Sequence, residues 1–276
     1  MVAPGLSDRL TMKQVGTDRF EGRGADIPPR IYGGEVAAQA VASTNLTVGE
    51  DRLPHAVQCT YLRGGDPNSP VTYDVERIRD GRGFSTRGVR ASQGGTEIFR
   101  ASVGYCVQEE GIQHQLAMPE VPAPESLPTL AEARDAEGKA WSDWQARHPE
   151  FEMRAVPPDL TDPTGRRQFW CRFLVDEPDE PKRQSVLGVY SSDFTMVSSI
   201  RMPHEPRDRK TLFMTSLSHT LFLHRPYRAS GWHLIDHHSP VAFGGRGISI
   251  AHTFTPDGTL VASAVQEGLA RPQGPS

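Results

Sequence analysis

The residues able to do chemistry in this chain come in small groups. Asp236-His237-His238 brings a carboxylate and two imidazoles together, a set that suggests a metal. Adjacent residues on a strand face opposite sides, so the two histidines cannot share one ion, and a solvated strand end is the plainer expectation. Gly33-Gly34 precedes an alanine-rich run. A helix starting there leaves free N–H groups, which can meet an anion or a developing oxyanion. Cys59, Cys106 and Cys171 form no CxxC pair, so zinc is not expected. Their odd number and apolar surroundings predict buried free thiols in a reducing compartment. A GxSxG nucleophile elbow, a Walker loop and an HExxH zinc motif are all absent. Gly22-Arg23-Gly24 continues as Ala25, Asp26 and Ile27 and fails the dinucleotide pattern GxGxxG.

The elements that must position these groups are written twice. Ile31-Tyr32-Gly33-Gly34-Glu35 returns as Val189-Tyr190-Ser191-Ser192-Asp193, an offset of 158. Tyr73 and Arg87-Gly88-Val89 return as Trp232 and Arg246-Gly247-Ile248, offset 159; Gly95-Thr96-Glu97-Ile98 returns as Gly258-Thr259-Leu260-Val261, offset 163. So long a period is a duplicated domain, because solenoid units run only about 20–50 residues. Copy one predicts a short strand at 14–20, a small-residue helix from Gly33, then strands at 56–62, 71–78, 84–91 and 97–107. Turns such as Gly64-Gly65-Asp66-Pro67 and Asp80-Gly81-Arg82-Gly83 separate them. Copy two predicts a strand at 168–175, a short helix at 193–200, then strands at 212–224, 231–236, 247–254 and 259–266. Phe213 and Phe222 are read there as covered on both sides of a sheet. The expected division is 1–118, a Pro-rich connector 119–150, and 151–276. In the connector, Thr129–Arg147 reads as a helix capped by Thr129 and pinned by Trp141 and Trp144. The fold class is α+β.

The chain has 276 residues, 30 basic and 34 acidic, for a formal net charge of -4. That balance gives no reason to expect nucleic acid. No apolar run approaches the roughly 18 residues of a membrane helix, and no signal peptide or peroxisomal tripeptide is read at the ends. A cytoplasmic protein is expected.

Several segments together resemble the TesB family, acyl-CoA thioesterase II. They are Tyr32-Gly33-Gly34 with Gln39-Ala40, Val75-Glu76-Arg77 through Arg87, Ser192-Asp193, His224-Arg225-Pro226, Gly244-Gly245-Arg246-Gly247 and Gln266-Glu267-Gly268-Leu269 with Arg271. The resemblance covers roughly residues 5 to 271. It implies a double hot dog, a helix wrapped by an antiparallel sheet twice over. It implies thioester hydrolysis through a water held by an Asp, a hydroxyl residue and a Gln, here Asp193, Ser216 and Gln266. It implies acyl-CoA as substrate and a homo-oligomer, dimer or tetramer; no cofactor or metal is implied. Ser218 stands where members commonly have Asp.

The residue types suit that chemistry. A carboxylate can take a proton from water, a hydroxyl and an amide can aim it, and a helix start can receive the oxyanion. By the repeat offsets Asp193 matches Glu35, Ser216 matches His55 and Gln266 matches Val103, which predicts one site built mainly by copy two. Gly33, Gly34, His55, Arg82, Arg87 and Arg246 are the candidate substrate contacts. The arginines, with Arg79, suit either coenzyme A phosphates or the carbonyls of their own turns. Two other readings stay open. One is an acyl-CoA binding protein with lost activity, suggested by Ser218; the other is a hot-dog enoyl-CoA hydratase, which would need a paired Asp and His.

Overall fold

A computed structural model of the protein describes residues 5–25, 30–130, 132, 148–157, 159, 161–175, 177–204 and 212–272. The chain forms two compact units, each assembled from separate stretches. The first holds Met1–Gln113, Glu177–Phe194 and Ser216–Tyr227; the second holds the rest.

In the first unit α1 (Leu6–Arg9) leads into β1 (Lys13–Gly16) and β2 (Arg19–Gly22). The single strand expected at 14–20 is therefore a hairpin. Asp18 turns it with φ 51°, a left-handed conformation that Asp tolerates better than most side chains. Next come α2 (Gly33–Asn45), β3 (Arg52–Tyr61), β4 (Val71–Asp80), β5 (Phe84–Gln93) and β6 (Thr96–Val107). Gly94 and Gly95, with φ 56° and 81°, make the two-residue turn between β5 and β6, the geometry that matches strand twist. The sheet order is β1-β2-β4-β5-β6-β3, and the later part of β9 (Leu212–Leu223) pairs onto β3. All these pairings are antiparallel.

The expected wrapped helix is α2. Ala38, Ala40 and Val41 have no accessible surface, and the helix packs on β3, β4, β5 and β6. Small side chains let backbone approach backbone, so a helix of low amphipathy is held by enclosure on every side. Its partner in the unit is α3 (Pro181–Ser192), which the sequence reading did not foresee. Pro181 sits at the first helical position, where its fixed φ and missing N–H cost nothing.

The second unit contains β7 (Phe151–Ala155), β8 (Arg167–Phe173), the one-turn helix α4 (Met196–Ser199), β10 (His233–Phe243), β11 (Arg246–Phe254) and β12 (Leu260–Pro272). Its strand order is β12-β11-β10-β8-β7. α4 lies on β10, β11 and β12. Just after it, Ile200 seats against Gly247 and Gly268, where an added Cβ would collide with the Ile200 side chain. The helix expected at 193–200 is thus only this turn. Leu127, Val156, Trp170, Leu234, Phe254 and Leu260 form a core cluster here, and the Trp170 indole donates to the Pro122 carbonyl at 2.9 Å.

Thr129 and Glu132 exchange capping bonds, Thr129 N–H to Glu132 Oε2 at 2.9 Å and Glu132 N–H to Thr129 Oγ1 at 3.3 Å. That is the capping-box pattern. The body of the expected connector helix, with Trp141 and Trp144, lies outside the described residues. Phe213 and Phe222 are each 40 % exposed, so the expectation that both faces of β9 are covered does not hold at these two positions. No described helix is long and apolar enough to cross a membrane.

Candidate functional site

Asp193 occupies the C-terminal end of α3, not the start of a helix as the repeat suggested. Its carboxylate reaches another helix: Gly34 N–H donates to Asp193 Oδ2 at 2.9 Å. A negative charge there complements the positive end of α2, which has no side-chain cap of its own. Asp193 is only 8 % exposed. The matched segments Ile31–Glu35 and Val189–Asp193 are therefore not equivalent positions. One begins a helix and the other ends one, and they meet. Tyr32 Oη donates to the Tyr190 carbonyl at 3.0 Å, and their rings lie 5.1 Å apart edge to face.

Two glycines make the approach possible. A Cβ on Gly34 would sit 2.5 Å from the Tyr190 carbonyl oxygen. A Cβ on Gly33 would sit 2.8 Å from Asp193 Oδ2 and 3.1 Å from Tyr61 Cε1. Tyr61 comes from the end of β3, with its hydroxyl buried and unpartnered. Burial first, then the charge of Asp193, then Cys59, hold that hydroxyl well above the usual phenol range. Cys59 is pushed up by burial and then by Asp193. Nearby, His219 Nε2 and Ser192 Oγ are 2.8 Å apart, and His219 pairs with Cys59 across β9 and β3. Glu35, matched to Asp193 by the repeat, is instead spent on Arg9 Nε at 2.6 Å and the Ala25 N–H at 3.2 Å. Copy-one residues Gly33, Gly34 and Tyr61 thus stand beside the copy-two residue Asp193. Tyr61 went unnoticed in the sequence because nothing in a strand pattern shows whether an inward tyrosine finds a partner.

Ser216 lies half-buried on β9 in the same unit. Gln266 belongs to the second unit, fully buried in the middle of β12 rather than at a strand end. Its cross-strand neighbour is Ser249, whose hydroxyl lies 2.6 Å from that of Ser199, the last residue of α4.

The other candidates separate. His55 lines a cavity of about 330 Å³ with Phe84, Cys106, Pro181, His224 and Arg225. A strand rises about 3.3 Å per residue, so His55 and Tyr61 stand roughly 20 Å apart along β3. Arg87 is 1 % exposed and uses all five N–H donors: on Thr47 Oγ1, on Asp80, and on the carbonyls of Thr47, Arg79 and Thr86. It therefore fastens its turn and has no donor left for a phosphate. Arg82 is exposed; Arg246 is also exposed and 3.4 Å from Glu267.

Asp236-His237-His238 is no solvated strand end. Asp236 is held by Arg166 through two bonds of 2.7 Å, and His237 is buried on β10. Burial pushes the His237 pKa down to about 4. Asp236 is thus already engaged by a cation, which removes the Asp–His pair a hydratase would need. No group of three His, Cys, Asp or Glu among the described residues could hold a metal. The thiols of Cys59 and Cys171 are buried, while Cys106 is half-buried.

Two family models match: "Acyl-CoA thioesterase N-terminal domain" over residues 23–106 and "Acyl-CoA thioesterase" over 146–269. The chain is 34 % identical to human acyl-coenzyme A thioesterase 8, over 95 % of this chain and 87 % of the relative. An acyl-CoA thioesterase II from Mycobacterium marinum superimposes with TM-score 0.85 at 32 % identity, covering 98 % of this chain and 99 % of that one. A protein with the hot dog fold from Alicyclobacillus acidocaldarius gives TM-score 0.78 at 16 % identity, with 98 % of both chains covered.

Proposed function

Because the chain belongs to the TesB family of acyl-CoA thioesterases, we propose that it hydrolyses acyl-CoA to a fatty acid and coenzyme A with Asp193 as the base. Water attacks the thioester carbonyl carbon and gives its proton to Asp193. The tetrahedral intermediate collapses, the C–S bond breaks, and the leaving thiolate takes the proton. Ser216 and Gln266 are the residues assigned to orienting the water; each can both donate and accept a hydrogen bond. The observation that carries the reading is the buried Asp193 carboxylate, held at the start of α2 by Gly34.

Release of free thiol from a panel of acyl-CoAs tests it. Asp193→Asn keeps an oxygen for the Gly34 N–H but removes the base, and kcat should fall about 10³-fold, within the range for loss of a positioned base. Full activity in that variant would sink the assignment. Saturable acyl-CoA binding with no thiol release by the parent chain would favour the binding-protein reading that Ser218 suggests. Arg82 and Arg246 are the remaining arginines for coenzyme A phosphates; replacing either should raise KM and leave kcat alone. His55 is assigned to the substrate through its cavity. The exposed Phe213, Phe222 and Phe243 suit burial against further copies, which light scattering can weigh. The free cysteines suit a reducing, cytoplasmic setting.

A further inference from the structure

We propose that Tyr61 is a catalytic residue, whose hydroxyl donates a hydrogen bond to the thioester oxygen as that oxygen becomes an oxyanion. The inference rests on the thioesterase reading above. Tyr61 follows Val57 and Cys59 on the inward face of β3; Val57 has no accessible surface and Cys59 has 3 %. Its ring packs on Phe99 at 5.3 Å between centroids. Its oxygen is buried without a hydrogen-bond partner. A buried hydroxyl almost always finds a partner, and an exception calls for an explanation, a catalytic role being one.

The place of this exception is specific. At Gly33 the Tyr61 ring and Asp193 Oδ2 converge: a Cβ there would lie 3.1 Å from Tyr61 Cε1 and 2.8 Å from Asp193 Oδ2, so the bare glycine lets the two groups close on one point. When Asp193 takes the proton from water its carboxyl becomes neutral and the negative charge develops on the carbonyl oxygen, so donors must be aimed at that oxygen. The helix start supplies few. Gly34 N–H is taken by Asp193, and the Glu35 and Val36 N–H groups by the Tyr32 carbonyl. Among the described residues, Gly33 N–H and Tyr61 Oη–H are the donors at this spot without a partner. Burial and the neighbouring Asp193 keep the Tyr61 proton in place, so the group acts as a donor across the working range of pH.

Tyr61→Phe removes one oxygen that no protein group hydrogen-bonds. Assayed on the acyl-CoA panel with the full chain, it should lower kcat about 100-fold, as loss of one oxyanion donor does elsewhere. KM should stay within about twofold and the thermal midpoint should stay level or rise, because the deleted hydroxyl was unsatisfied. A kcat equal to the parent's, a loss confined to KM, or a kcat loss accompanied by a lowered midpoint would each overturn the inference. Asp193→Asn, measured beside it, separates the two readings. If that variant is inactive and Tyr61→Phe is fully active, only the Tyr61 inference fails. If Asp193→Asn is fully active, the site assignment fails and takes the inference with it.

Discussion

The helix pair α2–α3 has two ends, and they are built on opposite rules. At the start of α2, Asp193 from the end of α3 receives the Gly34 N–H at 2.9 Å. At the close of α2, Lys182 from the start of α3 donates to the Asn45 and Val48 carbonyls at 3.3 and 3.2 Å, and Asn45 Nδ2 donates back to the Lys182 carbonyl at 3.2 Å. An anion at one end and a cation at the other both complement the dipole of α2. The difference lies in what surrounds them. Around Lys182 the polar groups engage one another, Glu50 included. Around Asp193 a hydroxyl is left over and a Cβ is missing. The satisfied end is joinery; the end with an unsatisfied donor is the one to which the proposed reaction is assigned.

The strongest challenge to this contrast is Asp193→Ala set against Asp193→Asn. Both should lose about 10³-fold in kcat. Only the Ala variant also loses the cap on Gly34, at a cost of about 1 kcal/mol, read as a lower midpoint in denaturant. Equal midpoints would mean the capping bond contributes nothing and Asp193 is held for chemistry alone.

Adjacent glycines give the next contrast. Gly34→Ala drives a methyl group against the Tyr190 backbone oxygen, which cannot rotate away. Overpacking of this kind costs about 1–3 kcal/mol or more, so the protein should be less stable or fail to fold. Gly33→Ala meets the side chains of Asp193 and Tyr61. Those can shift by tenths of an ångström, so stability should hold while kcat falls at least tenfold, by about 1.4 kcal/mol of barrier. If Gly33→Ala is as active as the parent, the close approach of Asp193 and Tyr61 at Gly33 is not what the reaction uses.

The strands were legible because glycine turns separate them; Gly94-Gly95 and Gly244-Gly245 each take the positive φ their types allow. Helix α2 was legible from its alanines. Helix α3 was not. Its buried positions include Gln184, Ser185, Gly188 and Ser191, so no apolar period marks it, and charged Lys182 and Arg183 open it. The repeat then misled: Tyr32 and Tyr190 match in type but one caps a helix start and the other closes a helix. Asp193 was named through the family resemblance and its neighbour Gly34 through the glycine pair, yet their contact is a tertiary fact. Arg87 shows the same limit. Five donors on one turn look, in sequence, no different from an arginine waiting for a phosphate.

The opposite end of the helix pair predicts a small effect. Lys182→Met keeps most of the aliphatic stem and removes the charge from the Asn45 and Val48 carbonyls. Charge at a helix terminus is worth about 0.3–1 kcal/mol, so the thermal midpoint should drop slightly. The kcat of the variant should equal the parent's. A large fall in kcat would mean that both ends serve the reaction and the division between them is false.

The smallest effect expected is none, and it concerns alkaline pH. Near Asp193, burial and then its charge raise the pKa of both Tyr61 and Cys59. Neither group ionises in the folded protein at pH values near those of free phenol and thiol, about 10 and 8.5. The kcat of folded enzyme should therefore show no alkaline limb between about pH 7 and 10. Stability should behave differently. A thiol whose folded pKa is raised contributes stability that is fully present below its unfolded pKa. Above that value the unfolded chain releases its proton while the folded one keeps it, so stability falls as pH rises. Cys59 and Cys171, both raised by burial, act together here. The alkaline limit of the enzyme should thus be unfolding, with the midpoint falling above about pH 8.5 while initial rates on folded protein stay level. An alkaline limb in kcat that vanishes in Tyr61→Phe would show the hydroxyl ionising within that range, and would locate at the Asp193 end a group that titrates where a fixed donor is required.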